Sequence, residues 1–455
     1  MKISIFGLGY VGAVSAGCFS KIGHEVIGVD PNEDKVRLIN NGCTPIIEEE
    51  IGEIIHQSVK EKRLSATQDV SKAVQQSDIS IICVGTPSAP NGSQNLQFIR
   101  KVYEEIGLEI KKKKTYHIVV NRSTLIPGTM LNVVKPILEK ASGKKAGVDF
   151  GLCINPEFLR EGTAVYDFFN PPKTVIGESD TKSGDILTEL YKDLKAPLVR
   201  TDLATAEMVK FTDNVWHALK ITFANEIGNI CEAVGIQGQK VMEIFCKDLK
   251  LNISTKYLMP GFAYGGSCLP KDCRALSYLA KMIDVDTPVI RNINISNQSH
   301  IERCLNKVIQ QNNKNIGILG ISFKEGTDDL RESPMVEIVE RLIGKGYSLR
   351  IYDRNVNIAS ISGANRDYIL NKIPHISKLM MSTVDGVLEH ADTILVGNRS
   401  NEFVDIAKKL KSHQSLIDYV NITEGNKKIL HVATTNSAED NQFIMGNQLQ
   451  TALAS

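Results

Sequence analysis

A single cysteine in "GFAYGGSCLPKD", Gly261 to Asp272, follows a run of glycines and precedes proline, lysine and aspartate. Gly265 and Gly266 take side-chain bulk away from beside Cys268, which would let a ligand reach both backbone and sulfur. Pro270 suits the start of a helix that continues through "KDCRALSYLAKMI". Cys268 is thereby expected at a helix N-terminus with Lys271 nearby, and both features favour thiolate over thiol. Asp272 adds a carboxylate able to act as a base. Cys18, Cys83 and Cys273 lack such surroundings and read as small apolar residues. A second reading of Cys268, a buried residue at a tight bend, stays open at this point.

What a thiolate would do depends on what else the chain binds. "KISIFGLGYVG" is a short apolar strand running into Gly7-x-Gly9-x-x-Gly12, and the helical "AVSAGCFSKIG" ends at Gly23. Gly7 permits the tight turn, Gly9 lets backbone approach a pyrophosphate, and Gly12 lets helix and strand pack closely. The helix start offers unpaired N–H groups and a positive dipole end to phosphates. A second strand, "HEVIGVD", closes on Asp30, 18 residues past Gly12, where a carboxylate would bond a ribose diol. That carboxylate repels a 2′-phosphate, so NAD is expected rather than NADP. "DISIICVGTP" and "YHIVVNRSTLIPGT" place Thr86 and Thr124 at strand carboxyl ends, where open α/β sheets bind ligands. Strands alternating with helical stretches predict a doubly wound α/β sheet.

A nucleophilic cysteine beside a hydride acceptor narrows the chemistry. Oxidising an alcohol to an aldehyde needs no thiol. Oxidising an aldehyde onward does benefit, because a thiohemiacetal can release a hydride and leave a thioester for water to cleave. The pair implies aldehyde oxidation, or alcohol oxidation carried through to the acid.

These groups need elements to hold them. Thr201 to about Val234 reads as one long helix, apolar around most of its circumference and therefore expected to be largely buried. Lys210, Asn214, His217 and Asn225 fall within one narrow sector of it at about 100° per residue. That row reads either as a lining for a polar substrate or as a ladder of structural hydrogen bonds at a subunit seam. Further on, "NKNIGILGISFKEGTDDLRESPMVEIVERLIGKGYSLRIYDRNV" repeats strand, polar loop, helix and strand without a second Gly-x-Gly-x-x-Gly. Its loop carries Lys324 and Arg331, basic groups suited to phosphates.

The chain has 455 residues, enough for two or three domains. Its net charge of +1 gives no global field for nucleic acid or an anionic membrane. Nine scattered cysteines with no Cys-x-x-Cys pair argue against a disulfide framework and a structural zinc site. The N-terminus breaks into glycines too soon for a secretory signal, and no apolar run approaches the roughly 20 residues of a membrane span. A reduced, cytoplasmic protein without membrane or nucleic-acid partners is expected.

Five strings, "GLGYVG", "VGTP", "RSTLIPGT", "NPEFLREGTAVYDF" and "GGSCLPKD", resemble the nucleotide-sugar 6-dehydrogenases, the UDP-glucose/GDP-mannose dehydrogenase family. "GKKAGVDFG", "NVWHALKITFANEIGNI" and "SFKEGTDDLRESP" extend the likeness toward its bacterial GDP-mannose branch, up to about residue 420. The resemblance implies two Rossmann-like domains joined by a central long-helix segment that makes a homodimer or higher oligomer. The expected boundaries are 1–200 for NAD, 201–300 for the centre with the cysteine, 301–435 for the nucleotide sugar, and 436–455 as a loose tail. It also implies a four-electron oxidation at sugar C6 with two NAD per turnover, giving GDP-mannuronate for an alginate-type polysaccharide. Cys268 resembles the nucleophile, and Lys210, Asn214 and Asp272 the groups that handle oxyanion, proton and water. Glu161, Lys210, Asn214, His217, Asn225, Tyr257, Phe262, Gly265 and Lys324 match substrate contacts. Tyr10, Val11, Asp30, Lys35, Thr86, Thr124, Lys271 and Arg331 match NAD contacts, together with the Gly7, Gly9 and Gly12 turn. The chain departs from the GDP-mannose pattern at Lys256, where that branch has tyrosine, and at Met259, where it has arginine. The alternatives are the same chemistry on a UDP-sugar and a catalytically silent NAD-binding protein.

Overall fold

In the computed structural model, residues 1–423 are described apart from 88–92, 256, 259, 267, 357, 360 and 362. Lys256, Met259 and the 436–455 tail therefore lie outside the described residues. Two compact units divide at His217/Ala218.

The central strands of the first unit are rich in isoleucine and valine and buried on both faces, as a parallel sheet between helices requires. Eight strands run in the order β3-β2-β1-β4-β5-β6-β7-β8. They are β1 (Lys2–Phe6), β2 (Glu25–Val29), β3 (Leu64–Thr67), β4 (Ile79–Ile82), β5 (Ile118–Asn121), β6 (Gly151–Ile154), β7 (Thr174–Glu178) and β8 (Leu198–Asp202). All neighbours are parallel except β6 and β7. Alternation sorts the side chains: Ile3, Ile5, Ile79, Ile81, Ile118 and Val120 join one core. Phe6, Ile82 and Val119 join the other. The strand order reverses direction between β1 and β4, which puts the loops after β1, β4 and β5 at the switch point where such sheets hold ligands.

The long helix runs Leu203–Ala233. It starts two residues later than expected because Thr201 and Asp202 still belong to β8, with the Asp202 carboxylate accepting from Thr205 N–H at 2.9 Å. Its expected burial is corrected as well. Asn214 to Thr222 are all exposed, including Val215 at 63% and Ile221 at 64%. An apolar circumference does not distinguish a helix buried in its own chain from one left uncovered by it.

The second unit carries a parallel sheet ordered β10-β9-β11-β12, formed by β9 (Asn315–Leu319), β10 (Ser348–Tyr352), β11 (Thr393–Val396) and β12 (Ser415–Asp418). Between β9 and β10 the helix Pro334–Gly344 starts at the Ser333-Pro334 signal. The architecture is thus α/β with two Rossmann-like parallel sheets and a long central helix.

Candidate active site

The dinucleotide turn is set by close approach. Gly7 has φ +91°, and its N–H donates to Val29 O at 2.7 Å. A Cβ on Gly12 would lie 1.7 Å from Gly7 O, so that position admits only glycine. A Cβ on Gly9 would meet nothing within 4 Å, which leaves the backbone at the start of the Tyr10–Lys21 helix open to a ligand. Beside the turn is a cavity of about 630 Å³ lined by Gly7, Gly9, Asp30, Lys35, Gln68 and Phe98, among others. Asp30 is buried and accepts from Leu8 N–H at 2.8 Å and Asn32 N–H at 2.9 Å, with Lys35 Nζ at 3.3 Å. Three acceptances leave its carboxylate with capacity for a ribose hydroxyl. Tyr10 and Val11 occupy the first turn of the helix, and Thr86 Oγ1 donates to Thr124 O at 3.0 Å, joining the loops after β4 and β5. The cradle, the helix start and the carboxylate fit NAD.

In the same unit, β6 delivers the loop "NPEFLREG". Lys210, on the long helix, places Nζ 3.0 Å from Glu157 Oε1, and both side chains are nearly covered. The Phe158 ring lies beneath Lys210 at 5.7 Å and beneath Lys173 at 4.7 Å. One turn before Lys210, buried Glu207 accepts from Gly128 N–H at 2.6 Å and Met130 N–H at 2.8 Å. Burial pushes its carboxyl up to about 7, against the opposing pull of those two amides. Of the row singled out in the sequence, Lys210 alone is buried; Asn214, His217 and Asn225 are exposed, as is Glu161. Glu157 and Glu207 were not identifiable by spacing, because the partner of each lies far away in sequence.

The second unit holds Asn225, Cys268, Lys271, Asp272, Lys324 and Arg331. Cys268 is exposed and caps the helix Leu269–Met282, its carbonyl accepting from Asp272 N–H at 3.0 Å. Lys271 Nζ and Asp272 Oδ1 are 2.6 Å apart. The Asp272 bond and charge hold Lys271 above the ordinary lysine range, and Cys268 adds to that. Asp329 does the same for Arg331, again with a contribution from Cys268. Both cations therefore lie within the electrostatic reach of the sulfur. By contrast, burial pushes the Cys18 and Cys83 thiols up to about 12. None of the nine cysteines is joined in a disulfide.

The glycines before Cys268 act differently from the expectation. A Cβ on Gly265 would fall 2.3 Å from Glu332 O, and one on Gly266 (φ +86°) 2.8 Å from the Phe323 ring. The space they vacate is filled by the protein's own 323–334 loop rather than left for a ligand. The stretch is also gripped by the helix Pro288–Ile309. Asn297 bonds the Tyr264 backbone at 3.0 and 2.9 Å, Asn294 takes the Tyr264 hydroxyl at 2.6 Å, and His300 meets Gly261 O at 2.9 Å. Phe262 stacks on Tyr419 at 4.7 Å, while Tyr257 (φ +63°) and Lys324 are exposed.

Residues 1–195 match the model of the UDP-glucose/GDP-mannose dehydrogenase family NAD binding domain, 204–299 its central domain and 317–425 its UDP binding domain. The chain is 54% identical to a GDP-mannose 6-dehydrogenase of Pseudomonas aeruginosa over 92% of its length and 96% of that protein. It is 36% identical to the UDP-glucose 6-dehydrogenase TuaD of Bacillus subtilis over 77% of its length and 76% of that protein. A crystal structure of a ternary complex of GDP-mannose dehydrogenase from Pseudomonas aeruginosa superimposes with a TM-score of 0.91 at 53% identity, covering 94% of this chain and 98% of that one.

Proposed function

The chain belongs to the UDP-glucose/GDP-mannose dehydrogenase family, and from that premise we propose that it oxidises GDP-mannose at C6 to GDP-mannuronate. The observation that carries the substrate is the contrast in likeness, 54% over nearly the whole of a GDP-mannose enzyme against 36% over three-quarters of a UDP-glucose one.

NAD, when bound, accepts a hydride in each of two oxidations. In the first unit Gly7, Gly9 and Gly12 would hold it with Tyr10, Val11, Asp30, Lys35, Thr86 and Thr124, and the family's pattern also assigns it Lys271 and Arg331. Lys210, anchored by Glu157, and Asn214 steady the charge that develops on the sugar oxygen. Asp272 receives the proton of the hydroxyl and later that of the attacking water. Cys268 adds to the aldehyde carbon, forming a C–S bond. After the second hydride leaves, the thioester is cleaved by water, which returns the thiol and releases the acid. Four electrons leave as two hydrides and one water enters. Glu161, His217, Asn225, Tyr257, Phe262, Gly265 and Lys324 are assigned to the nucleotide sugar, whose product would feed an alginate-type polysaccharide.

Met208, Val215 and Leu219 form an exposed apolar stripe on the side of the long helix opposite Lys210, which supports a homodimer closed over that stripe. No described helix is long and apolar enough to cross a membrane. Unbridged cysteines support a reducing compartment, the cytoplasm.

The test is stoichiometry. Two NADH per GDP-mannose, with uronate as product, are expected; one NADH with an aldehyde product would sink the four-electron reading. Cys268→Ser should stop uronate formation. A second reading, oxidation of a UDP-sugar, draws on the UDP binding domain match over 317–425 and on Lys256 and Met259. Initial rates with GDP-mannose and UDP-glucose side by side separate the two.

A further inference from the structure

Tyr10 opens the helix that follows Gly9, and its phenol is tied to a distant loop. The hydroxyl donates to Glu48 and accepts from Gly162 N–H at 3.1 Å. Glu48 also accepts from Gly162 N–H at 2.8 Å and Ala164 N–H at 3.0 Å. Those amides directly follow Glu161 in an exposed turn, and Gly162 has φ +87°. The near side of the turn is pinned separately. Asp167 accepts from Arg160 N–H at 3.0 Å, from its guanidinium at 2.7 and 3.0 Å, and from Thr163 Oγ1 at 3.1 Å. Earlier in the same loop, Glu157 meets Lys210.

Burial pushes the Glu48 carboxyl up, but the bonds from Tyr10, Gly162 and Ala164 outweigh it and hold it below the ordinary carboxylate range. Burial and the Glu48 bond push the Tyr10 phenol up to about 12, so it remains a donor across neutral pH. The carboxylate stays charged, the phenol stays protonated, and the link between them persists under working conditions.

We propose that Glu48 is a positioning residue that ties the cofactor turn at Tyr10 to the Arg160–Ala164 turn, so that binding at one alters affinity at the other. The idea rests on the reaction proposed above. Two oxidations of one sugar require spent cofactor to leave while the sugar stays, and a bonded bridge between the two binding segments lets each register the other's occupancy. Coupling of this kind is reciprocal and amounts to roughly 5-fold or more in affinity.

The experiment is calorimetric titration of the full-length protein with NADH, with and without saturating GDP-mannose, a combination in which no turnover occurs. For the parent, GDP-mannose should shift the NADH Kd by about 5-fold or more. In Glu48→Gln, which keeps the shape but loses the charge, the factor should fall toward one while each ligand still binds alone. Tyr10→Phe removes only the phenolic end and should weaken the coupling likewise; it decides the matter if Glu48→Gln does not fold. A parent factor of one, or variants that keep the parent's factor, overturns the proposal. If GDP-mannose fails to bind the parent, the substrate reading fails instead, and UDP-glucose in the same titrations carries the Glu48 test.

Discussion

Lys210 Nζ stands 3.0 Å from Glu157 Oε1, with 11% and 13% of the respective side chains exposed. The pair joins the long helix to the loop after β6, and each charge satisfies the other where water is largely excluded. Replacing one member leaves its partner half-desolvated and uncompensated. Lys210→Met and Glu157→Gln should each lower kcat by about 10²-fold, the lower end for a group that handles a proton or an oxyanion. The KM for NAD should change little, because neither residue lines the cavity beside the Gly7–Gly12 turn. Steady-state kinetics with each substrate varied in turn checks the split.

The glycines of the dinucleotide turn should separate folding from binding. Gly12→Ala must push a Cβ into Gly7 O and is expected to destabilise the domain by about 1–3 kcal/mol or more. Gly9→Ala meets no protein atom, so its melting temperature should stay near the parent's while the KM for NAD rises about tenfold, because the methyl occupies ligand space. Thermal unfolding and NAD kinetics on the two variants make the comparison.

The sequence was most informative where a local motif dictates a local shape. Gly7, Gly9, Gly12 and Asp30 form the turn their spacing implies, and Cys268 caps its helix as Pro270 suggested. Carboxylates that bond distant backbone amides left no such trace. Glu48 and Glu207 do this, and Glu226 accepts from Val289 and Ile290 N–H at 2.7 and 2.9 Å. The second sheet hid a parallel with the first. Gly320 (φ +84°) donates to Tyr352 O at 2.8 Å, as Gly7 does to Val29 O, and Asp353 stands at the end of β10 as Asp30 does after β2. Yet one Asp353 oxygen already takes Ile321 N–H, Ser322 N–H, Ser322 Oγ and Asn398 Nδ2. That oxygen is committed to the protein's own loop, whereas the Asp30 carboxylate keeps capacity for a ligand.

The long helix offers a test of assembly. Val215 and Leu219 are 63% and 41% exposed on the side away from Lys210. The double variant Val215→Asp with Leu219→Asp should shift the mass measured by light scattering from dimer toward monomer, since two carboxylates cannot be covered by an apolar stripe without large desolvation cost. An unchanged mass places any interface elsewhere.

Glu207 gives a pH prediction with a definite sign. Burial raises its carboxyl from 4.5 to about 7. A group whose folded pKa exceeds its unfolded one binds more protons when folded, so its contribution is fully present below about pH 4.5 and is lost as pH rises through about 7. The shift corresponds to roughly 3 kcal/mol across that window. The two amides from Gly128 and Met130 stay bonded to the charged form, so ionisation weakens the fold without releasing the turn outright. Glu207→Gln cannot ionise. Relative to the parent it should gain stability between pH 5 and pH 8, whatever its absolute cost from the altered bonds. Urea unfolding of both proteins at the two pH values reads the difference, and parallel pH profiles would show that Glu207 does not titrate in that range.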